Sequence, residues 1–203
     1  SAGDPFSKPA FVEWVGGTSQ DITQVFEQLG RIGLLRPVRD PSWGEPKSVQ
    51  HPGMPVKTLV LHVTDACNLN CSYCYYHGGT SPAQGRAMTV AVARRAVDFL
   101  MEKSGALDKV ELVFFGGEPL LNKPLIAETV AYARASAAQR GKSVDFALTT
   151  NATLLSESTT LFLIENRIGV TVSIDGLPHV HDRYRRFPDG SPSFAIIEPG
   201  IRR

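Results

Sequence analysis

The amino-acid sequence predicts an α/β fold in which parallel strands form part of a barrel. Short apolar runs alternate with longer segments whose apolar residues recur at helical spacing. Such alternation implies parallel strands joined by right-handed crossovers. The strand-like runs are apolar on both faces, as is typical of a sheet covered by helices.

Four segments have the composition of buried strands: TLVLHVT (58–64), VELVFF (110–115), VDFALTT (144–150) and GVTVSID (169–175). The segments that follow the first three strands begin MTVAVARR, KPLIAETV and LSESTTLF and have helical spacing. A further helix is predicted in SFAIIEPGIRR, although Pro199 and Gly200 interrupt its pattern. Four βα units make half of an eight-fold barrel or most of a shorter, open one. We therefore expect the chain to be part of a longer protein.

Two segments precede the predicted barrel region, residues 57–203. Residues 1–36 are predicted to contain a small helical module, because the apolar residues of TSQDITQVFEQLG have helical spacing before Gly30. Residues 37–56 hold five prolines and are predicted to be a linker or an extended segment. The helical module is too short to form an independent core.

Composition limits the classes of partner. The 203 residues carry a net charge of +1, which argues against a nucleic-acid partner held by phosphate contacts. No apolar run approaches the roughly 20 residues of a membrane span, and SAGDPFSKPA lacks the order of a signal peptide. Three cysteines cannot form a full disulfide set. We therefore expect a cytoplasmic protein with neither a nucleic-acid nor a membrane partner.

The stretch CNLNCSYCYY holds all the cysteines of the chain: Cys67, Cys71 and Cys74. It directly follows the first predicted strand, at the end where active sites of parallel α/β proteins gather. One interpretation is a structural zinc site with His77 as the fourth ligand. Another is an iron–sulfur cluster in which three thiolates leave one iron open to a substrate or cofactor.

The second predicted strand ends in GGEPLL, which contains Gly116, Gly117 and Glu118. Paired glycines allow a ligand to approach the backbone closely. Pro119 disfavours a helical backbone at Glu118, and a carboxylate at a strand end suits a ligand ammonium group. A solvated glutamate in a tight turn is the alternative.

Polar residues also follow the third and fourth predicted strands. Asn151 in TTNATLL could present its amide to the same site, or act as a turn former or helix cap. Ser173 and Asp175 in SIDG lie two positions apart and are expected to share one strand face. Asp175 could equally be a turn residue before a glycine. HDRYR then supplies Arg185.

Taken together, CxxxCxxC, GGEP, TTNATLL and SIDG followed by HDRYR resemble the radical S-adenosylmethionine (SAM) superfamily over residues 57–195. The resemblance implies a partial (β/α)6 TIM-like barrel and a [4Fe-4S] cluster on the three cysteines. It also implies SAM on the open iron, with Glu118 at the SAM amino group and Arg185 at its carboxylate. Further cofactor contacts are implied at Tyr73, Gly116, Gly117, Asn151, Ser173 and Asp175. The family usually has glycine where this chain has Ala152.

The motifs most resemble the peptide- and protein-modifying, SPASM-type branch, which includes sulfatase-maturating enzymes and thioether-forming maturases. The resemblance implies a peptide or small protein substrate, a reaction that forms a thioether cross-link, and an electron donor such as a flavodoxin or ferredoxin. Members usually carry auxiliary iron–sulfur clusters in a C-terminal region. FVEWVGGTSQDITQVFEQLGRIGLLRP resembles the tail of a winged-helix peptide-recognition module. A zinc-stabilised peptide-binding module and a small-molecule radical SAM enzyme are the alternatives. No acid or base on the substrate side can be identified.

Overall fold

The computed structural model describes residues 54–75 and 85–202, together with the single residue Glu27. The predicted helical module and nearly all of the predicted linker lie outside the described residues, as does His77. Within these ranges no helix is both long enough and apolar enough to cross a bilayer.

The described residues contain a sheet of four parallel strands in the order β1-β2-β3-β4. The strands are β1 (Thr58–Thr64), β2 (Lys109–Gly116), β3 (Ser143–Thr150) and β4 (Ile168–Val172). Leu61 of β1 lies opposite Phe114 of β2, which in turn lies opposite Leu148 of β3. The architecture confirms the predicted α/β class and the partial barrel of parallel strands. However, β4 ends at Val172, before the predicted end at residue 175.

Helices connect the strands. They are α1 (Val90–Lys103), α2 (Lys123–Gln139), α3 (Glu157–Glu165), α4 (Pro178–Tyr184) and α5 (Phe194–Ile201), with a short 3₁₀ helix at Pro119–Asn122. The hydroxyl of Thr89 accepts a hydrogen bond from the backbone of α1, and Ser156 caps α3 in the same way. The α4 helix was not predicted. The α5 helix continues through Pro199.

The core lies on one face of the sheet. The spatial order of the strands is their order in the sequence, and each crossover between them is right-handed. The connecting helices therefore pack on the same side of the sheet. The fully buried side chains at this interface include Val63, Leu112, Phe114, Val97, Leu100 and Ile126. On the opposite face Val60 is 54% exposed. The apolar runs predicted that both faces of the sheet are covered, and in the described residues this opposite face is partly exposed at Val60.

The carboxyl ends of the strands meet at one edge of the sheet. The loop after β1 contains the cysteines, and the 3₁₀ helix follows β2 directly. Gly117 N donates to Thr64 O at 2.9 Å, and Ser173 N donates to Thr150 O at 2.9 Å. These bonds continue the sheet pairing beyond the strand ends, and so the loops from neighbouring strands are held side by side.

Candidate active site

The cysteine loop, residues 67–74, is held by backbone hydrogen bonds to a segment much later in the chain. Asn70 N donates to Arg186 O at 2.7 Å, and Ser72 N donates to Tyr184 O at 3.0 Å. These two acceptors flank Arg185, one of the predicted cofactor-binding residues. The position of the loop and the position of Arg185 are therefore set by the same short stretch of backbone.

A cavity of about 170 Å³ lies at the carboxyl edge of the sheet, and all three cysteines line it. Residues that follow or end each of the four strands contribute to its wall. The predicted cofactor-binding residues in the lining are Tyr73, Gly116, Gly117, Asn151, Ser173 and Arg185. Two other predicted residues, Glu118 and Asp175, lie outside this lining. The cavity thus brings most of the predicted site residues together.

The three thiols are free, and Cys67 is buried whereas the other two are partly exposed. Burial raises the pKa of Cys71 to about 11, although the nearby Arg185 guanidinium opposes the shift. Burial also raises the pKa of Cys67. Because metal ligation requires thiolates, binding of a metal here has to release protons.

The glycine pair after β2 is required by backbone packing. A Cβ atom on Gly116 would lie 2.3 Å from Thr64 O, and one on Gly117 would lie 2.2 Å from Ala66 O. The φ angle of Gly116 is also +143°, which favours glycine. The end of β2 therefore packs directly against the start of the cysteine loop. This packing, and not the predicted approach of a ligand, accounts for the absence of side chains, although both glycines also line the cavity.

Glu118 is fully buried and already bonded on both carboxylate oxygens. Its Oε1 accepts from Leu120 N at 3.1 Å and from the Thr150 hydroxyl at 2.8 Å, and its Oε2 accepts from Asn151 N at 2.8 Å. Burial raises the pKa of Glu118, and these three donors oppose the shift. The carboxylate joins the ends of β2 and β3, a placement that differs from the predicted direct contact with a ligand ammonium group.

Asn151 directs its amide nitrogen at the cysteine loop. Nδ2 lies 3.8 Å from Cys67 Sγ and donates to Asn68 Oδ1 at 2.9 Å. Oδ1 accepts from the Thr153 backbone at 3.0 Å and from its hydroxyl at 2.7 Å. The next residue, Ala152, has a φ of +65°, the left-handed conformation that glycine adopts most readily. Ala152 thus adopts a conformation that favours glycine, at the position where the family usually has one.

Two predicted residues near β4 lie beyond the strand, which ends at Val172. The expectation that Ser173 and Asp175 share a strand face is therefore wrong. Ser173 lines the cavity, whereas Asp175 contacts the side chains of Tyr73 and Arg185. The two residues are brought to the site by different contacts.

Asp175, Arg185 and Tyr73 form a compact group beside the cavity. The Tyr73 hydroxyl donates to Asp175 Oδ2 at 2.5 Å, and Arg185 Nε lies 3.0 Å from Asp175 Oδ1. That Nε–H is not aimed at the oxygen, and so the contact is an ion pair more than a hydrogen bond. The guanidinium carbon lies 5.3 Å from the centre of the Tyr73 ring. Burial opposes the shift, but Tyr73 and Arg185 hold the pKa of Asp175 below its usual value.

Residues 61–198 match the family model described as the Radical SAM superfamily. The chain belongs to the radical SAM superfamily. Membership implies a [4Fe-4S] cluster and SAM as cofactors.

Curated relatives match the same part of this radical SAM chain. An uncharacterised protein of Methanocaldococcus jannaschii is 36% identical over 138 residues, which are 68% of this chain and 45% of that protein. The serine-type anaerobic sulfatase-maturating enzyme of Bacteroides thetaiotaomicron is 34% identical over 149 residues, 72% of this chain and 36% of that enzyme. The chain thus spans less than half the length of these relatives.

Solved structures support the same fold. A structure of native anSMEcpe with bound AdoMet and a Cp18Cys peptide aligns with a TM-score of 0.64 and 27% identity. The alignment covers 73% of this chain and 39% of that one. AdoMet is another abbreviation for SAM, and so a similar protein holds the cofactor that the family implies.

The donor set fits an iron–sulfur cluster. Thiolates are the usual ligands of [4Fe-4S] clusters, and each cysteine binds a different iron, so the sulfurs need not converge on one ion. Among the described residues, no three His, Cys, Asp or Glu side chains are placed to share a single metal ion. The three cysteines of this radical SAM chain therefore fit a multi-iron cluster, whereas the zinc interpretation depends on His77, outside the described residues.

Two buried polar residues beside Arg185 and Asp175 were not predicted. His181 in α4 and Ser193 before α5 are both inaccessible to solvent, and they contact each other. HDRYR drew attention to Arg185 alone, because a histidine in a short polar stretch carries no periodic signal. The pair is identified only in the folded chain, where α4 and the start of α5 lie side by side and the two side chains meet.

Proposed function

We propose that this protein is a radical SAM enzyme that cleaves SAM reductively and modifies a peptide or small protein. The observation that carries the proposal is one cavity lined by all three cysteines and by residues from the ends of all four strands. Active sites of parallel α/β proteins gather at that edge. Reductive cleavage of SAM is the activity that membership in the superfamily implies.

Cys67, Cys71 and Cys74 would hold the [4Fe-4S] cluster as thiolates. When bound, the cluster would supply the electron that the reductive cleavage of SAM requires. The chain itself would bind and orient the cofactors and exclude water from the cavity. Cys67 is buried and Cys71 is partly buried, and so both would shield a bound cluster from water.

Arg185 would bind the SAM carboxylate. Its Nε is paired with Asp175, which leaves the two terminal nitrogens of the guanidinium to form a charge-assisted bond to a carboxylate in the cavity. Tyr73 and Asp175 would hold the guanidinium in place, and Ser173 would contact the rest of SAM. The SAM amino group would donate to the backbone carbonyls of Gly116 and Gly117, which line the cavity, because the Glu118 carboxylate lies outside the lining and already accepts from three donors.

The substrate class is proposed from similarity. The relatives include sulfatase-maturating enzymes and a radical SAM cyclopropyl synthase, and one similar structure holds a peptide. We propose a peptide or small protein substrate, with thioether cross-linking as the specific reaction. A flavodoxin or ferredoxin would supply the electron, and auxiliary clusters would lie in a further region. The predicted helical module of residues 1–36 would assist peptide recognition. A radical SAM enzyme with a small-molecule substrate is the alternative, and binding of a precursor peptide would separate the two.

The test begins with protein purified without oxygen. We expect about four irons and about four sulfides per chain, with SAM cleavage to 5′-deoxyadenosine after reduction. Cys71→Ala should lose the cluster and the cleavage activity. Ser72→Ala is the matched control, because Ser72 is exposed and its contact with Tyr184 is made by the backbone. Zinc in place of iron, or SAM cleavage by Cys71→Ala, would contradict the proposal.

A further inference from the structure

His181 and Ser193 form a buried link behind Arg185. His181 Nε2 lies 3.0 Å from Ser193 Oγ, and Asp175 N lies 3.4 Å from His181 Nδ1. Ser193 Oγ in turn donates to the backbone oxygen of Arg185 at 2.6 Å. Both linking residues are fully buried. The link therefore joins the backbones of the two residues that form the ion pair beside the cavity.

The hydrogen bonds of this link fix one tautomer of the histidine. A serine hydroxyl has one proton, and Ser193 donates that proton in its hydrogen bond to the Arg185 carbonyl. Ser193 must then accept from a proton on His181 Nε2, which leaves Nδ1 bare to accept from Asp175 N–H. Burial lowers the pKa of His181, and the charge of Arg185 acts in the same direction, so the neutral ring is favoured. One tautomer thus satisfies every bond.

Ser193 is itself fixed by a second acceptor. Asp182 Oδ1 accepts from Ser193 N at 2.9 Å and from Phe194 N at 2.8 Å, at the start of α5. The Phe194 ring also packs edge-on against the His181 ring, with centroids 5.5 Å apart. The hydroxyl that holds Arg185 is therefore anchored by α4 on one side and by α5 on the other.

The backbone around Arg185 is held on two sides. The carbonyls of Tyr184 and Arg186 bind the cysteine loop, whereas the carbonyl of Arg185 between them binds Ser193. Arginine has a long, flexible side chain, and its fixed placement at a site lowers the entropy cost of binding. A rigid backbone at this position would supply that advantage.

We propose that His181, acting through Ser193, is the positioning residue that sets the Arg185 guanidinium against the carboxylate of SAM. The inference rests on the proposed function, because it requires SAM in the cavity. The link would act on the carboxylate end of SAM. A histidine with a merely structural role would change the affinity for SAM and for a SAM analogue without the carboxylate to the same extent.

The test compares SAM with decarboxylated SAM, which lacks the carboxylate. Binding is measured by equilibrium dialysis on the unreduced, cluster-loaded protein, so that no cleavage occurs. His181→Phe keeps a ring but loses both hydrogen bonds, and we expect it to bind SAM about tenfold more weakly, as the loss of one good hydrogen bond would produce. Its affinity for decarboxylated SAM and its iron content should not change.

Conservative variants report which bond matters. His181→Gln can still donate to Ser193 and should recover most of the affinity for SAM, whereas Ser193→Ala should lose it as His181→Phe does. Ser193→Ala also replaces His181→Phe if that variant fails to fold. Arg183→Ala, on the exposed side of α4, is the matched control and should bind both ligands as the unmodified protein does.

The outcomes separate this inference from the proposed function. Unchanged SAM affinity in His181→Phe and Ser193→Ala would overturn the inference alone, as would an equal loss of affinity for SAM and decarboxylated SAM. If the unmodified protein holds no iron and binds no SAM, the proposed function fails and the inference fails with it. A selective loss of SAM affinity supports both.

Discussion

At the scale of single residues, the polar groups nearest the cavity are distinguished by how completely they are bonded. Glu118 has no exposed surface and accepts three hydrogen bonds. Asn151 uses both ends of its amide, one toward Cys67 and Asn68 and the other toward Thr153. Substitution of such a buried polar group lowers the stability of the fold, because its former partner remains buried with neither a hydrogen bond nor contact with water.

Glu118→Gln should lower the free energy of unfolding by roughly 1–3 kcal/mol. The new amide NH₂ would face one of the present N–H or O–H donors, and that donor would lose its acceptor. Urea denaturation measures the effect. Glu128→Gln, on the exposed side of α2, is the matched control and should change stability by about 1 kcal/mol or less. Unchanged stability with lost SAM affinity would instead mean that the Glu118 carboxylate contacts SAM directly.

Asn151→Asp should make the reduction potential of the bound cluster more negative. The substitution keeps the size of the side chain but replaces the N–H group near Cys67 Sγ with a charged oxygen. Hydrogen bonds to cluster sulfurs and local charge are among the factors that set the potential. A redox titration followed by electron paramagnetic resonance measures the shift. A potential equal to that of the unmodified protein would show that the amide does not act on the cluster.

Acid should destabilise the protein through His181. Burial and Arg185 lower its pKa from 6.5, while Asp175 and Asp182 partly oppose the shift. The unfolded chain therefore takes up a proton below pH 6.5 that the folded protein takes up only at lower pH. The neutral His181 therefore contributes fully to the free energy of unfolding above pH 6.5. Below pH 6.5 this contribution falls, by about 1.4 kcal/mol in total for each unit by which the folded pKa lies below the unfolded one. The urea midpoint of His181→Gln should depend less steeply on pH in this range, and an equal slope would refute the explanation.

At the scale of secondary-structure elements, the site depends on how the strand ends meet. The end of β2 lies against the first residues of the cysteine loop, so closely that neither Gly116 nor Gly117 leaves room for a side chain. The end of β3 is joined to β2 through Glu118. The cysteine loop is then held from its other side by the segment after α4. The loop thus takes its shape from three different elements.

Gly117→Ala should displace the cysteine loop, because its Cβ would lie 2.2 Å from Ala66 O, a backbone atom that cannot rotate away. We expect a loss of stability of at least about 1–3 kcal/mol, as for other overpacked sites, and a reduced iron content. Gly169→Ala in β4 is the control, because its nearest contact is an ordinary 3.5 Å. Normal iron content in Gly117→Ala would mean that the loop tolerates movement.

The sequence predicted the elements that carry a periodic signal. The predicted bounds of β1, 58–64, agree with the structure, because a threonine stands at each end of a largely apolar run. The α4 helix was missed because its seven residues are too few for periodicity and follow a glycine turn. The contacts of Glu118 and His181 depend on residues from other strands and helices. No local pattern reports such contacts. Glu118 was therefore singled out only as a carboxylate at a strand end, and His181 was not singled out.

At the scale of the whole molecule, the sheet brings the cysteines of one loop and predicted cofactor-binding residues from three later strand ends to a single cavity. Parallel strands make this possible, because their carboxyl ends all lie at the same edge. In the proposed site, three thiolates would leave one iron of the four-iron cluster without a protein ligand, and SAM would bind that iron. The proposed function and the proposed role of His181 both depend on this vacant coordination position.

Mössbauer spectroscopy of oxygen-free protein loaded with ⁵⁷Fe tests that position most directly. We expect one iron of the cluster, about a quarter of the signal, to change its isomer shift when SAM is added, while the others do not. Identical spectra with and without SAM, from protein that contains the intact cluster, would contradict it.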